Sequence, residues 1–187
     1  PPFGVMCDPL PNRPLAQDLP VPKVLGLEEQ LEGTLLSLLS DLGHVTVAFE
    51  AGQHDSPEAV DHAEAAVWIA LRTAGMLIGS SIAPSARALG QLQDTAGRLP
   101  GFVEARYRHE IEPEDRFRML PGFESFQPVR ASQVLAEDRH GAVRAPEDGL
   151  ILMPLYQPQG DDGFFLVKPF NPVWLKISAA LRYLRAD

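Results

Sequence analysis

Cysteine is nearly absent from this sequence. A single residue, Cys7, in 187 excludes an intramolecular disulfide and fits a reducing compartment, so a cytoplasmic location is expected. Long apolar runs are missing too. No stretch approaches the roughly 20 apolar residues that a membrane-spanning helix needs, and the proline-rich start lacks the layout of a signal peptide. The third absence is a basic patch. The chain has 16 Lys and Arg against 25 Asp and Glu, a net charge of −9, and its basic residues cluster no more tightly than Arg106, Arg108 and His109. Neither nucleic acid nor an anionic membrane is an expected partner.

What is present is enough for a core: 45% of the residues are hydrophobic, and the length suits one large or two small domains. The first stretch, Pro1 to Pro22, holds seven prolines and no periodic pattern. It reads as a connector between elements of a larger fold, so the sequence is expected to be part of a longer protein.

Beyond it, residues 23–27 predict a short buried strand. The leucines at 31, 35, 38, 39 and 42 predict a helix over residues 28–42, with Gly43 just past its end. Val45 to Glu50 follows as a strand, which makes a βαβ unit with an expected parallel pair and right-handed crossover. Ser56-Pro57-Glu58 predicts a capped helix to about Ile78, buried through Val60, Ala63, Val67, Ala70, Leu71 and Ala74. Residues 86–99 read either as a third, weaker helix or equally as a mobile connection. From Phe102 the pattern changes to short strands at 102–108, 126–129, 133–136, 142–144, 150–153 and 164–167, and Val173 to Leu184 predicts a terminal helix. Residues 129–154 resemble the hairpins of a barrel-sandwich hybrid, without the lysine that a carrier domain places at its hairpin tip.

Glu50 is the sharpest chemical candidate. A carboxylate where a strand ends beside a glycine sits where open α/β sheets keep their chemistry; a solvated turn residue is the plainer alternative. His54 and His62, with Asp55, Glu58 and Asp61, form a loose acidic and imidazole cluster, but neither histidine has a His-x-x-x-His or His-x-x-Glu partner. Gly79-Ser80-Ser81 is no nucleophile elbow, and Cys7 has no adjacent base. Gly160-Asp161-Asp162-Gly163 reads as a hairpin loop.

Four segments carry a family resemblance, in order: Pro20 to Leu35, Val47 to Val60 (VAFEAGQHDSPEAV), Pro121 to Val129, and Ala145 to Gln157. Together they resemble the succinylglutamate desuccinylase/aspartoacylase family. The resemblance implies an α/β fold over residues 1–100, with part of a carboxypeptidase-like sheet, followed over 101–187 by a β-rich, barrel-sandwich-like domain ending in a helix. It implies a zinc-dependent hydrolase acting on small N-acyl amino acids, with Glu50 as general base and acid. Gln53 and His54 beside Glu50, and Tyr156 near a family tyrosine, are the candidate substrate contacts. The family's zinc ligands lie N-terminal to the glutamate, and no His-x-x-Glu precedes Glu50 here. No metal ligand is therefore assigned in this sequence, and the chain alone is expected to be inactive. A homo-oligomer is a possible assembly. The competing reading is a non-catalytic binding module that uses the barrel-sandwich region.

Overall fold

The structure, a computed structural model, describes residues 1–7, 10–31, 33–53, 55–77, 83–97, 99–171 and 173. The chain divides into two compact units, Pro1–Val103 with the chain from Pro169 on, and Glu104–Lys168. The chain from Pro169, expected to stay with the β part, groups with the first unit instead. Among the described residues, no helix is long and apolar enough to cross a membrane.

The first unit is built around a strand that the sequence reading did not foresee. β1 (Phe3–Met6) lies inside the supposed connector, and all four of its residues are buried. A four-residue strand covered on both faces shows no alternation, and the surrounding prolines disguise it further. α1 (Arg13–Asp18) follows, with Pro14 in its first turn. β2 (Lys23–Leu25) is the expected buried strand, and β3 (Ala48–Glu50) is shorter than expected.

β1 pairs in parallel with β2, setting Val5 opposite Val24 and Met6 opposite Leu25. It pairs antiparallel with β3, setting Phe3 opposite Glu50 and Gly4 opposite Phe49. The expected parallel βαβ pair is thus corrected: β1 stands between β2 and β3, and the two run in opposite senses. The order in this unit is β3-β1-β2-β4, with β4 (Phe102–Glu110) entering by its first residues. The fold is therefore mixed α/β, as expected, with a mixed sheet.

The helix expected over residues 28–42 breaks in two. A 310 turn at Glu28–Gln30 precedes α2 (Leu35–Asp41), whose cap is Thr34: its side-chain oxygen accepts from the Ser37 amide at 3.1 Å. Ser and Thr stabilise helix starts better than helix interiors, so Gly33-Thr34 divides the segment. Gly43 ends α2 as expected, its N–H donating to Ser40 O (2.9 Å) while His44 N–H donates to Leu39 O (3.0 Å). The leucine face of α2 is largely open, with Leu35, Leu38 and Leu42 68%, 56% and 65% exposed.

α3 (Pro57–Thr73) begins with Pro57 and Glu58 as expected, but the Ser56 hydroxyl donates to the Glu58 carboxylate rather than capping the amides. Its buried residues are His62, Ala65, Ala66 and Ile69, an i, i+3, i+4, i+7 stripe, whereas Val60 and Val67 are exposed. Of the two readings of residues 86–99, α4 (Ala83–Ala96) bears out the helix. Leu92 joins Leu19, Val21, Ala65, Ala66 and Ile69 in one core cluster, with Val47, Phe49 and Leu89 packed against it.

The second unit is β-rich, as expected. Every strand foreseen there is present within a few residues: β6 (Pro128–Val129), β7 (Val134–Asp138), β8 (Gly141–Arg144), β9 (Gly149–Leu152) and β10 (Asp162–Pro169). β5 (Arg118–Met119) is additional. One sheet orders β4-β10-β9-β6 and the other β5-β7-β8, and both contribute to one core through Val129, Ile151, Phe164 and Leu166 on the first and Met119, Leu135 and Ala136 on the second. The terminal helix expected over residues 173–184 lies, beyond Val173, outside the described residues.

An aromatic cluster organises this unit. The His109 ring stacks on Phe164 at 5.0 Å between centroids, lies 5.4 Å from Phe117, and places Nδ1 3.0 Å from the Tyr107 hydroxyl oxygen. Gly163 makes room for it: a Cβ there would stand 2.6 Å from Phe117 Cζ. Gly163→Ala should cost about 1–3 kcal/mol of stability by overpacking, read from urea unfolding. Burial pushes the His109 pKa down, with Asp138 and Asp115 pulling it back up. The folded state therefore resists a proton that the unfolded chain accepts near pH 6.5. Stability should fall as pH drops below about 6.5, and His109→Phe should flatten that slope in melting temperatures recorded from pH 7 to 5.

Candidate functional site

Glu50 owes its place to β3. Alternation along the strand sends Val47 and Phe49 into the cluster with Ala65, Ala66 and Ile69, so Ala48 and Glu50 belong to the opposite face. Glu50 is exposed there, at the last position of the strand and in register with Phe3.

Two polar residues brace this strand end from either side in sequence. The first is Asn12. By position it would cap α1, yet its side chain makes no cap bond. Fully buried, it accepts from the Thr46 amide at 2.8 Å through Oδ1 and donates to Cys7 O at 3.3 Å through Nδ2. The approach to β3 is thereby tied to the segment that leaves β1. Asn-x-Pro reads as a helix start in sequence, and nothing local reveals a partner 34 residues away.

The second is His62, on the buried stripe of α3. Its Nδ1 lies 2.9 Å from Ala51 O, the carbonyl directly after Glu50, and its Nε2 lies 3.2 Å from Thr95 Oγ1 on α4. The turn between them needs Gly52, whose φ is +124°, a value side-chain-bearing residues rarely adopt. Gln53 follows in the same turn, exposed, with its carbonyl accepting from Ser56 N at 3.1 Å. Sequence spacing could have flagged His62, since His62, Ala65, Ala66 and Ile69 have perfect helical periodicity, but the competing stripe through Val60, Ala63, Val67 and Ala70 on the same helix drew the prediction away.

The remaining candidates divide. Glu50 and Gln53 share one turn, and His54 lies outside the described residues. Tyr156 is in the second unit, where its hydroxyl donates to Leu120 O (2.8 Å) and accepts from the Phe123 amide (2.9 Å). That hydrogen is committed to the local fold, so a substrate contact through it would have to displace Leu120. Cys7 is no activated nucleophile: burial, and then the Glu28 charge, push its thiol pKa up. Lys23, buried on β2 with its ammonium 5.7 Å from the Phe102 ring centre, has its pKa lowered to about 8 by burial. Sequence reading had no signal for that beyond an apolar neighbourhood.

The resemblance implies zinc, and the described residues do not fit it. Among them, no three His, Cys, Asp or Glu side chains gather in a way that could hold a metal ion. His62 spends both ring nitrogens on the fold. His109 and Glu112 do have His-x-x-Glu spacing, but the ring is stacked within the aromatic cluster and Glu112 is engaged in a capping box with Asp115.

Comparison with known proteins sets this site in a wider fold. No family model and no curated protein matches the sequence. Solved structures do. The ectoine utilization protein EutE (DoeB) of Ruegeria pomeroyi matches in its product-bound form with a TM-score of 0.58 and 17% identity over 89% of this chain and 53% of that one. Its apo form matches at 0.57 and 20%, over 89% and 55%. Succinylglutamate desuccinylase of Vibrio cholerae matches at 0.53 and 15%, over 91% and 49%. The chain shares the succinylglutamate desuccinylase fold. At these identities the likeness is one of fold, and the chain spans about half the length of the structures it matches.

The bracing of β3 can be measured. Asn12→Ala leaves the buried Thr46 amide without its acceptor, and unfolding free energy in urea should drop by about 1–3 kcal/mol. An Asn12→Ser variant would be expected to recover little, because its hydroxyl is too short to reach both Thr46 and Cys7.

Proposed function

We propose that this chain is part of a zinc-dependent hydrolase that deacylates N-acyl amino acids, with Glu50 as the group that carries the proton. The observation behind this reading is the placement of Glu50, an exposed carboxylate that ends a strand braced from both sides, in a fold shared with a succinylglutamate desuccinylase. Hydrolysis of an amide needs a base to take a proton from the attacking water and an acid to return one to the departing amine. A single carboxylate that is free to point at both can do the two in turn. Gln53, exposed three positions further on, is proposed to contact a polar part of the substrate. Zinc dependence belongs to the whole protein, with ligands drawn from residues other than those described, and the chain by itself is proposed to be inactive.

The test is an assay of the whole, zinc-loaded protein on a panel of N-succinyl, N-acetyl and other N-acyl amino acids. Glu50→Gln keeps the shape and removes the base, so kcat should fall by about 10²-fold or more on whichever substrate is cleaved. If the wild-type protein binds zinc and cleaves none of the panel, the binding-module reading takes its place. Turnover that survives Glu50→Gln removes Glu50 from the mechanism.

A further inference from the structure

We infer that His62 is a positioning residue for Glu50, acting through the carbonyl of Ala51. The inference deepens the reading of Glu50 as proton carrier and rests on it only for its consequence in turnover.

The argument begins with what position 62 would ordinarily hold. It belongs to the buried stripe of α3 together with Ala65, Ala66 and Ile69, and it is itself buried at 8% exposure. An apolar residue would fill such a place without a desolvation cost, so a buried imidazole must recover its cost through its bonds. It does so at both ends of the ring. Ala51 O can only accept, so Nδ1 carries the hydrogen of the 2.9 Å contact. Nε2 then faces the Thr95 hydroxyl at 3.2 Å, and Thr95 Oγ1 also lies 2.9 Å from Gln91 O within α4. In the neutral ring Nε2 accepts, and the one hydrogen of Thr95 is divided between His62 and Gln91.

The result is a continuous link from α4 through the imidazole to the carbonyl of Ala51, the residue that follows Glu50. Ala51 lies one residue beyond the end of β3, and Gly52 turns the chain away from the strand. Without His62, Glu50 would be held only from its N-terminal side, by the strand pairing and by the Asn12 contact with Thr46. A carboxylate displaced by about 1 Å costs a proton-transfer step on the order of 10²-fold, so the orientation of one peptide matters to the chemistry.

The two ring nitrogens can be separated by substitution. The Asn amide nitrogen falls where Nδ1 lies, and the Gln amide nitrogen falls nearer to Nε2. His62→Asn therefore keeps a donor for Ala51 O, and His62→Gln keeps only the contact with Thr95. Both remove ring packing, so a role confined to helix packing would be affected equally by both.

Three readouts test this. In the unmodified chain, long-range nitrogen–proton NMR correlations should show His62 protonated at Nδ1 at neutral pH; a bare Nδ1 overturns the proposal without any variant having to fold. Backbone relaxation should give order parameters for Ala51 and Gly52 near the rigid value of about 0.85 in the wild type and His62→Asn, and below about 0.6 in His62→Gln. Equal values in the two variants overturn it. In the whole, zinc-loaded protein His62→Gln should lower kcat by roughly 10²-fold with KM unchanged, and His62→Asn should retain most of it. If Glu50→Gln proves harmless while the NMR results stand, the fault lies in the role given to Glu50 and not in the anchoring by His62.

Discussion

Everything in the first unit depends on one buried strand. β1 offers a parallel edge to β2 and an antiparallel edge to β3, and through the second it sets Glu50 opposite Phe3. Because side chains alternate along a strand, this register also decides which face each residue of β3 takes: Phe49 joins the helix-packed core and Glu50 does not. A slip of one residue would bury the carboxylate and expose the ring. The core thus selects the orientation of the candidate base, and the cost of burying an unpaired carboxylate far outweighs any local preference in the turn.

Strand pairing fixes Glu50 along the sheet, and buried polar contacts fix the chain on either side of it. Asn12 holds Thr46 four residues before Glu50, and His62 holds Ala51 one residue after. Both side chains are buried, where a polar group without partners is costly, so each contact is strongly selected once the core forms. The same logic explains why Tyr156 belongs to the architecture of the second unit, since its hydroxyl closes two backbone positions there.

Much of this was legible in the sequence. The β-rich unit could be read because β4 alternates apolar and charged residues and the later strands recur at turn-bounded intervals, and Gly43 was recognisable as a helix terminator from chemistry that acts within a single turn. Glu50 stood out by its position between β-formers and a glycine. The failures share a cause, which is that the deciding partner is distant in sequence. β1 is covered on both faces and so carries no period. The leucines of α2 have helical spacing, and yet Leu35, Leu38 and Leu42 are exposed, because what covers a face is a tertiary fact. In α3 two stripes compete, and the one containing His62 is buried, with Ala65, Ala66 and Ile69 in the core cluster while Val60 and Val67 face solvent. Asn12 looks like a cap and serves as a clamp.

The central claim is that β1 lies between β2 and β3 and so places Glu50. Cross-strand nuclear Overhauser contacts test it most directly. The account predicts antiparallel contacts of Gly4 with Phe49 and Val5 with Ala48, together with parallel contacts of Val5 with Val24. Contacts that instead pair residues 45–50 directly with residues 23–27, leaving residues 3–6 unpaired, would contradict it and remove the basis for the position of Glu50.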